Sequence, residues 1–140
     1  MGLYEFLRYI VVRALAGEQV KLLVLRDVVV RGDSPSIVAS RYGISKHQVR
    51  GYVLRISDNG VPMWMARKIL DAGWKHIVSI EPIVEQRNGT IYCKLCRQPI
   101  TLRWGSAWFH IERRHGNLVE HLVAELARRI REELRARRCA

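Results

Sequence analysis

The sequence predicts a mainly α-helical protein of the α+β class, and three observations lead to this expectation. Apolar residues recur every three to four positions over most of residues 3–72, which is the period of an amphipathic helix. After Trp74 the period shortens toward two, as in strands. The final segment returns to one long helical stripe. We therefore expect a helical domain over residues 1–73, a β-hairpin module over 74–116 and a basic amphipathic helix over 117–140.

Two helices are predicted before the first break in the sequence. Gly17 ends the first helix, and the second extends from about Glu18 to Arg31. In the break at residues 32–35, Asp33 or Ser34 can cap the next helix and Pro35 suits its first position. The apolar stripe of the first helix is Leu3, Phe6, Leu7, Ile10, Val11 and Ala14, and that of the second is Val20, Leu23, Val24 and Val28, with Asp27 at the same spacing.

Three shorter helices follow, over about residues 35–42, 45–57 and 62–72. Ser45 and Gln48 have the spacing of a capping box at the start of the middle one. Asn59-Gly60 marks a turn after it. Gly73 is expected to end the last of the three.

The β-like segment contains three short runs, IVSI at 77–80, PIVEQ at 82–86 and TIYC at 90–93. Asn88-Gly89 is a strong signal for a two-residue hairpin. A further strand is expected near residues 99–103, before a helix that carries the histidines. The last helix is expected over residues 117–138.

The charge of the chain is strongly unbalanced. Its 140 residues include 24 Lys and Arg against 13 Asp and Glu, for a formal net charge of +11. Such a charge favours binding to a polyanion, and nucleic acid is the first candidate partner. Arginine, which outnumbers lysine, forms bidentate contacts with phosphates and guanine. The alternative is that the arginine content only reflects the composition of an arginine-rich proteome.

No targeting or membrane segment is expected from the sequence. No run of ~18 uncharged apolar residues exists, and Glu5, Arg8 and Arg13 interrupt the apolar N-terminus where a signal peptide would be continuous. The three cysteines do not form a disulfide framework. Cys139 is expected to be a free thiol. We therefore expect a cytoplasmic protein that is not bound to a membrane.

The segment PSIVASRYGISKHQVRGYVL, residues 35–54, resembles the helix-turn-helix of bacterial and archaeal transcription regulators. Ala39 matches the small residue at the helix crossing, Gly43 the turn residue and Val49 the buried aliphatic residue of the second helix. The resemblance implies an N-terminal helix-turn-helix bundle. Its inner face, packed on the Glu18–Arg31 helix, would include Val38, Tyr42, Ile44 and Tyr52.

The same resemblance implies that the outer face of the second helix binds duplex DNA, with Lys46 and Arg50 as candidates for guanine and Ser45 for a phosphate. Leu54 on this face departs from the pattern. The alternative is an ordinary helical hairpin with a solvated basic face. The candidate DNA contacts are Ser45, Lys46, His47, Arg50, Gly51 and Arg55.

A second motif is Cys93-x2-Cys96-x13-His110-x4-His115, which is similar to a C2H2 zinc finger over residues 90–116. Two thiolates and two imidazoles complete a tetrahedral shell, so we expect one structural zinc ion in a small ββα unit. The alternative is a redox pair of cysteines beside unrelated histidines. His76 and His121 are weaker candidates for ligands.

The predicted finger is not expected to read base sequence. The positions that contact bases in such fingers fall near Arg103, Ser106 and Phe109, and a single finger covers only about three base pairs. Trp104 and Trp108 favour packing, although stacking on unpaired bases would favour RNA. Candidate phosphate contacts are Arg103, Arg113 and Arg114.

The last helix combines a leucine stripe with many arginines, and two uses of the stripe stay open. It either packs on the core of its own chain or forms a homodimer. The function we expect is a DNA-binding transcription regulator associated with the nucleoid. The alternatives are an RNA- or ribosome-associated zinc protein and a protein-recruiting adaptor. No pattern of an enzyme or of a small-molecule substrate site is evident.

Overall fold

A computed structural model describes residues 2–100 and 107–139. It is mainly helical with one small antiparallel sheet, so the predicted fold class is confirmed. A π-helical segment, Arg26–Val30, directly continues α2. The elements in chain order are α1 Gly2–Leu15, α2 Gln19–Leu25, α3 Pro35–Tyr42, α4 Lys46–Asp58, α5 Met63–Ile77, β1 Val84–Arg87, β2 Thr90–Cys93, β3 Gln98–Ile100, α6 Ala107–Arg114 and α7 Gly116–Cys139.

Helix α1 is the centre of the main core. Phe6, Ile10, Val11 and Val12 are fully buried, and α1 packs against α2, α5, α6 and α7. Burial of each such side chain contributes roughly 1.5–3 kcal/mol to the free energy of unfolding. The core therefore brings the N-terminal and C-terminal helices of the chain together.

The leucine stripe of α7 packs within its own chain, which was one of the two uses left open by the sequence. Leu126 and Ile130 of the stripe, with Val119 and Val123 beside it, are buried in the main core, and Leu118, Leu122 and Leu134 pack against that core partly buried. Helix α7 lies against α1 and α5 along this face. The arginines of α7 stay exposed on its outer surface.

A smaller core joins α2, α3 and α4. It contains Val24, Val38, Ala39 and Val49 as buried residues. The partly buried side chains around them are Val28, Tyr42, Ile44 and Tyr52, which are the residues expected on this inner face. The predicted helices over residues 35–42 and 45–57 are thus present with almost the expected bounds.

The prediction that Gly73 ends the fifth helix was wrong, and so was the strand at residues 77–80. Helix α5 continues to Ile77, and Val78 to Ile80 form a turn. The cause is the contact with α7. A Cβ atom at Gly73 would lie 2.9 Å from both Cδ1 and Cγ1 of Ile130, so this glycine permits a close helix crossing.

The expected single helix over residues 18–31 changes its hydrogen bonding at Arg26. From there to Val30 the backbone is π-helical. Its wider turn contains Asp27, a fully buried carboxylate that faces α3, while Leu25 and Val29 on either side belong to the main core. The π-helical segment therefore lies between the main core on one side and α3 on the other, and the backbone departs from α-helical hydrogen bonding where these contacts meet.

The sheet has the strand order β1-β2-β3 with both pairs antiparallel. Arg87 pairs with Thr90 across the predicted two-residue turn, where Asn88 and Gly89 have φ angles of 51° and 79°. These left-handed conformations are those of a type I′ turn. The strand expected at 99–103 is observed as β3 up to Ile100. Residues 101–103 of the predicted strand lie outside the described part of the chain.

Among the residues that the structure describes, none of the helices combines the length and the apolar character that a membrane crossing needs.

Candidate metal centre and basic helical face

The two cysteines lie in the tight turn that connects β2 to β3. Cys93 ends β2 and is fully buried. The amide N–H of Cys96 donates to Sγ of Cys93, 3.4 Å away, and the amide of Arg97 donates to the carbonyl oxygen of Cys93 at 2.9 Å. Arg97 has a φ angle of 57°, which turns the chain back into β3. This knuckle presents both sulfur atoms on the same side.

The two histidines come from the junction of α6 and α7. His110 lies within α6, and His115 occupies the bend between the two helices. Sγ of Cys96 lies 3.6 Å from Nε2 of His110 and 3.2 Å from Nε2 of His115. Sγ of Cys93 lies 3.4 Å from Nε2 of His115. All four predicted ligands therefore converge, and their ligand atoms lie within 4.8 Å of one another.

These distances fit a tetrahedral metal shell. Bond lengths of about 2.3 Å to sulfur and about 2.0–2.1 Å to nitrogen imply separations of roughly 3.5 Å between a sulfur and a nitrogen ligand. The three observed sulfur–nitrogen distances lie on both sides of that value. Cys93 and Cys96 are free cysteines, not a disulfide. The cluster is thus able to hold one metal ion.

The electrostatic environment keeps both histidines in the form that binds a metal. Burial, followed by the positive charge of Arg114, lowers the pKa of His115. Burial, the neighbouring His115 and Arg114 likewise lower the pKa of His110. Burial also raises the pKa of Cys96. A metal ion therefore meets neutral imidazoles but must displace a proton from this thiol.

The cluster connects the sheet to the start of α7. The amide of His115 donates to the carbonyl oxygen of Ile111 at 2.8 Å, and the amide of Val119 donates to that of His115 at 3.0 Å. His115 thus belongs to the hydrogen bonding of both helices. Cys93 packs with Ile100 and Ala107 in a small core of its own. A bound ion would therefore fasten the hairpin to the point where α7 begins.

The other candidate residues in and near the predicted finger differ in how far they are buried. His76 and His121 are not part of the cluster. Trp108 is partly buried against the main core, with the guanidinium of Arg13 5.7 Å from its ring centroid, so it packs within the fold. Phe109 is 41% exposed. Arg113 and Arg114 are exposed, and Arg103, Trp104 and Ser106 lie outside the described residues.

Caps mark the start of α3 and both sides of the tight turn that connects α3 to α4. Ser34 accepts from the amide of Ile37 at 3.3 Å. Gly43 ends α3 with a φ angle of 66°. At the start of α4, Oγ of Ser45 accepts from the amide of Gln48 at 3.1 Å, and Oε1 of Gln48 accepts from the amide of Ser45 at 3.0 Å. These local bonds determine where α4 begins.

The outer face of α4 carries the candidate contacts. In residues 2–100 and 107–139, Lys46, Arg50 and Arg55 form no ion pair. Leu54 on the same helix is 61% exposed. The candidates predicted from the sequence are all exposed: Ser45, Lys46, His47, Arg50, Gly51 and Arg55.

A buried carboxylate that sequence reasoning did not single out holds α3 in place. Asp27 accepts hydrogen bonds of 2.6 Å from the hydroxyl of Tyr42 and from Arg41, and longer ones from Arg26. Although burial acts in the opposite direction, these bonds hold the pKa of Asp27 below its usual value. The available sequence signal was an acidic residue at an apolar position of the helical period.

No protein-family model matches this chain, and neither a curated protein nor a solved structure matches it.

Proposed function

We propose that this protein binds duplex DNA through the outer face of α4, acts as a transcription regulator associated with the nucleoid, and holds one structural zinc ion. The observation that carries the proposal is that α4 is capped and anchored on its inner side while its outer side presents a basic surface to solvent. Val49 and Ile56 anchor α4 on its inner side, while Lys46, Arg50 and Arg55 are exposed on it.

The arrangement suits major-groove recognition. In helix-turn-helix proteins the N-terminal residues of the second helix contact base edges and the first helix crosses the backbone. Lys46 and His47 occupy the first turn of α4, and Arg50 follows one turn later. Arginine and lysine pair with the O6 and N7 atoms of guanine. The exposed Leu54 supplies an apolar contact of the kind that thymine methyl groups accept.

The zinc assignment rests on the donor atoms. Two sulfurs and two imidazole nitrogens are the ligands of structural zinc sites, and four protein ligands leave no open position for water or substrate. The ion would therefore support the fold, not catalysis. This favours a binding protein over an enzyme.

One observation favours a second candidate, an RNA-associated zinc protein. Phe109 is 41% exposed on α6, with the guanidinium of Arg113 5.9 Å from its ring centroid. Exposed aromatic and guanidinium groups stack on unpaired bases. In this case α7, which carries many of the arginines, would supply the phosphate contacts.

Binding of the full-length protein to a random-sequence DNA duplex, measured as a function of salt, tests the proposal. Because phosphate contacts release counterions, log K should fall with log salt. The variant Lys46→Ala/Arg50→Ala should bind at least tenfold more weakly and show a smaller salt slope. A salt slope near zero would contradict DNA binding.

The matched control is Arg131→Ala/Arg135→Ala, which removes the same charge from exposed positions of α7. It should bind duplex DNA within about twofold of the wild-type protein. If structured RNA outcompetes duplex DNA and the α7 pair causes the larger loss, the second candidate replaces the first.

A further inference from the structure

A surface outside both candidate sites is an apolar groove bounded by the first two turns of α1 and α5 and by the C-terminal half of α7. Its volume is about 280 Å³. Leu7, Ile69 and Ile130 are buried residues that line it. Leu3 and Trp64 also line it and are 48% and 65% exposed. The groove therefore leaves apolar side chains in contact with solvent beside the main core.

The edge of the groove is positively charged. Lys68 and Arg131 line it, and Arg135 follows one turn later on α7. Within the described ranges these three residues form no ion pair. Arg128 and Arg137 of the same helix each pair with two carboxylates. Helix α7 therefore leaves positive charge unneutralised at the groove.

We propose that this groove binds an acidic amphipathic helix of a partner protein. The apolar side chains of the partner would contact Trp64 and the floor of the groove, and its carboxylates would meet Lys68 and Arg131. The groove follows α7 from Ala127 to Leu134, about 10 Å at 1.5 Å per residue. That length matches anchor residues spaced i, i+4 and i+7 on a docked helix.

Charge and shape select this partner over two others. A symmetric contact between two copies through this groove would bring two positively charged edges into one interface, and like charges repel. An anionic membrane would satisfy the charge. However, the apolar residues line a concave groove between helices, and a docked helix fills such a groove better than a flat surface does.

The test uses the full-length, zinc-loaded protein and a fluorescently labelled synthetic peptide of about 15 residues, long enough to form a helix on binding. The peptide carries leucine at i, i+4, i+7 and i+11 and glutamate on its other face. Fluorescence anisotropy should show saturable binding with one peptide per chain. A peptide with lysine in place of each glutamate should bind at least tenfold more weakly.

Two variants place the binding in the groove. Trp64→Ala removes the most exposed apolar side chain and should weaken binding of the acidic peptide roughly tenfold. Lys68→Glu/Arg131→Glu should weaken it at least tenfold and increase the affinity for the lysine peptide. Circular dichroism and thermal unfolding establish that both variants are folded.

The matched control is Arg31→Glu/Lys75→Glu, which makes the same change in net charge at exposed residues outside the groove. It should bind the acidic peptide within about twofold of the wild-type protein. An equal loss with this control, or equal affinity of the wild-type protein for both peptides, would overturn the proposal.

Two further outcomes also overturn it. One is a protein dimer that forms without peptide and is lost in Trp64→Ala, because the groove would then bind a second copy. The other is Trp64-dependent binding to phosphatidylglycerol vesicles without binding to the acidic peptide. The peptide assay contains no DNA, so its result is independent of the proposed function.

Discussion

Gly73 of α5 and Ile130 of α7 meet where the two helices cross. A Cβ atom at position 73 would lie 2.9 Å from Cδ1 and Cγ1 of Ile130, closer than carbon atoms approach in a packed core. Gly51 of α4 faces open space instead, since a Cβ atom there would have no heavy atom within 4 Å. The two glycines therefore respond differently to the same substitution.

We expect Gly73→Ala to lower the free energy of unfolding by about 1–2 kcal/mol. Overpacking costs about 1–3 kcal/mol, and the higher helix propensity of alanine offsets up to about 1 kcal/mol of it. Gly51→Ala should instead increase stability by about 0.5–1 kcal/mol. Urea unfolding of each variant measures both changes.

A double-mutant cycle tests the cause. Ile130→Ala removes both atoms that the new methyl group would meet, so it should cost less in the Gly73→Ala background than in the wild-type protein, with a coupling of at least about 0.5 kcal/mol. Additive effects would show that the contact with Ile130 is not the reason why a larger side chain at residue 73 lowers stability.

Removal of the metal should loosen the connection between the sheet and α7. We expect one zinc ion per chain, and loss of it in Cys96→Ser with a fall in Tm of roughly 10 °C or more, because metal-binding energy contributes to folding. Elemental analysis and thermal unfolding measure the two quantities. His121→Ala is the control, since this exposed histidine is outside the cluster. An unchanged Tm in Cys96→Ser would contradict a structural ion.

Asp27→Asn should lower stability by roughly 1.5–3 kcal/mol at neutral pH, because it removes the charged acceptor of the hydrogen bonds from Tyr42 and Arg41. The control is Asp33→Asn, which loses only a more exposed partner of Arg41. Its cost should stay below about 1 kcal/mol. Chemical unfolding of both variants gives the comparison. Equal losses of stability in the two variants would show that burial of Asp27 does not increase its contribution.

The effect of Asp27 should also depend on pH. The pKa of Asp27 is lowered in the folded protein, so its contribution is present above the unfolded value of about 4 and is lost as pH falls through the folded value. The stability difference between wild type and Asp27→Asn should therefore shrink below about pH 4. A difference that grows on acidification would contradict this assignment.

Ser45 allows stability and DNA binding to be separated. Ser45→Ala removes the cap of α4 and should cost about 1 kcal/mol of stability. Ser45→Asp keeps a capping oxygen and is favoured by the helix dipole, so its stability should stay close to that of the wild-type protein. Its added negative charge should nevertheless weaken binding to duplex DNA severalfold. Unchanged binding in Ser45→Asp would place the DNA away from the start of α4.

Much of the fold was predictable because local chemistry specifies it. The capping box of Ser45 and Gln48 places the start of α4, and the left-handed Gly43 ends α3. Asn88-Gly89 likewise determines the register of the hairpin. The four candidate ligands could also be named from spacing, because a metal shell needs specific donor atoms and the two cysteines lie close together in the chain.

The tertiary structure alone decided the features that depend on distant partners. Gly73 lies inside α5 because Ile130, far along the chain, packs against it. Asp27 is buried because Tyr42 and Arg41 reach it from α3.

The sequence by itself therefore indicated most of the helices, the hairpin turn and the candidate metal ligands, since these follow from local hydrogen bonding and donor chemistry. Only the tertiary structure decided that the stripe of α7 packs against α1 and α5. An amphipathic pattern shows that a face must be buried, but it does not identify the surface that covers it.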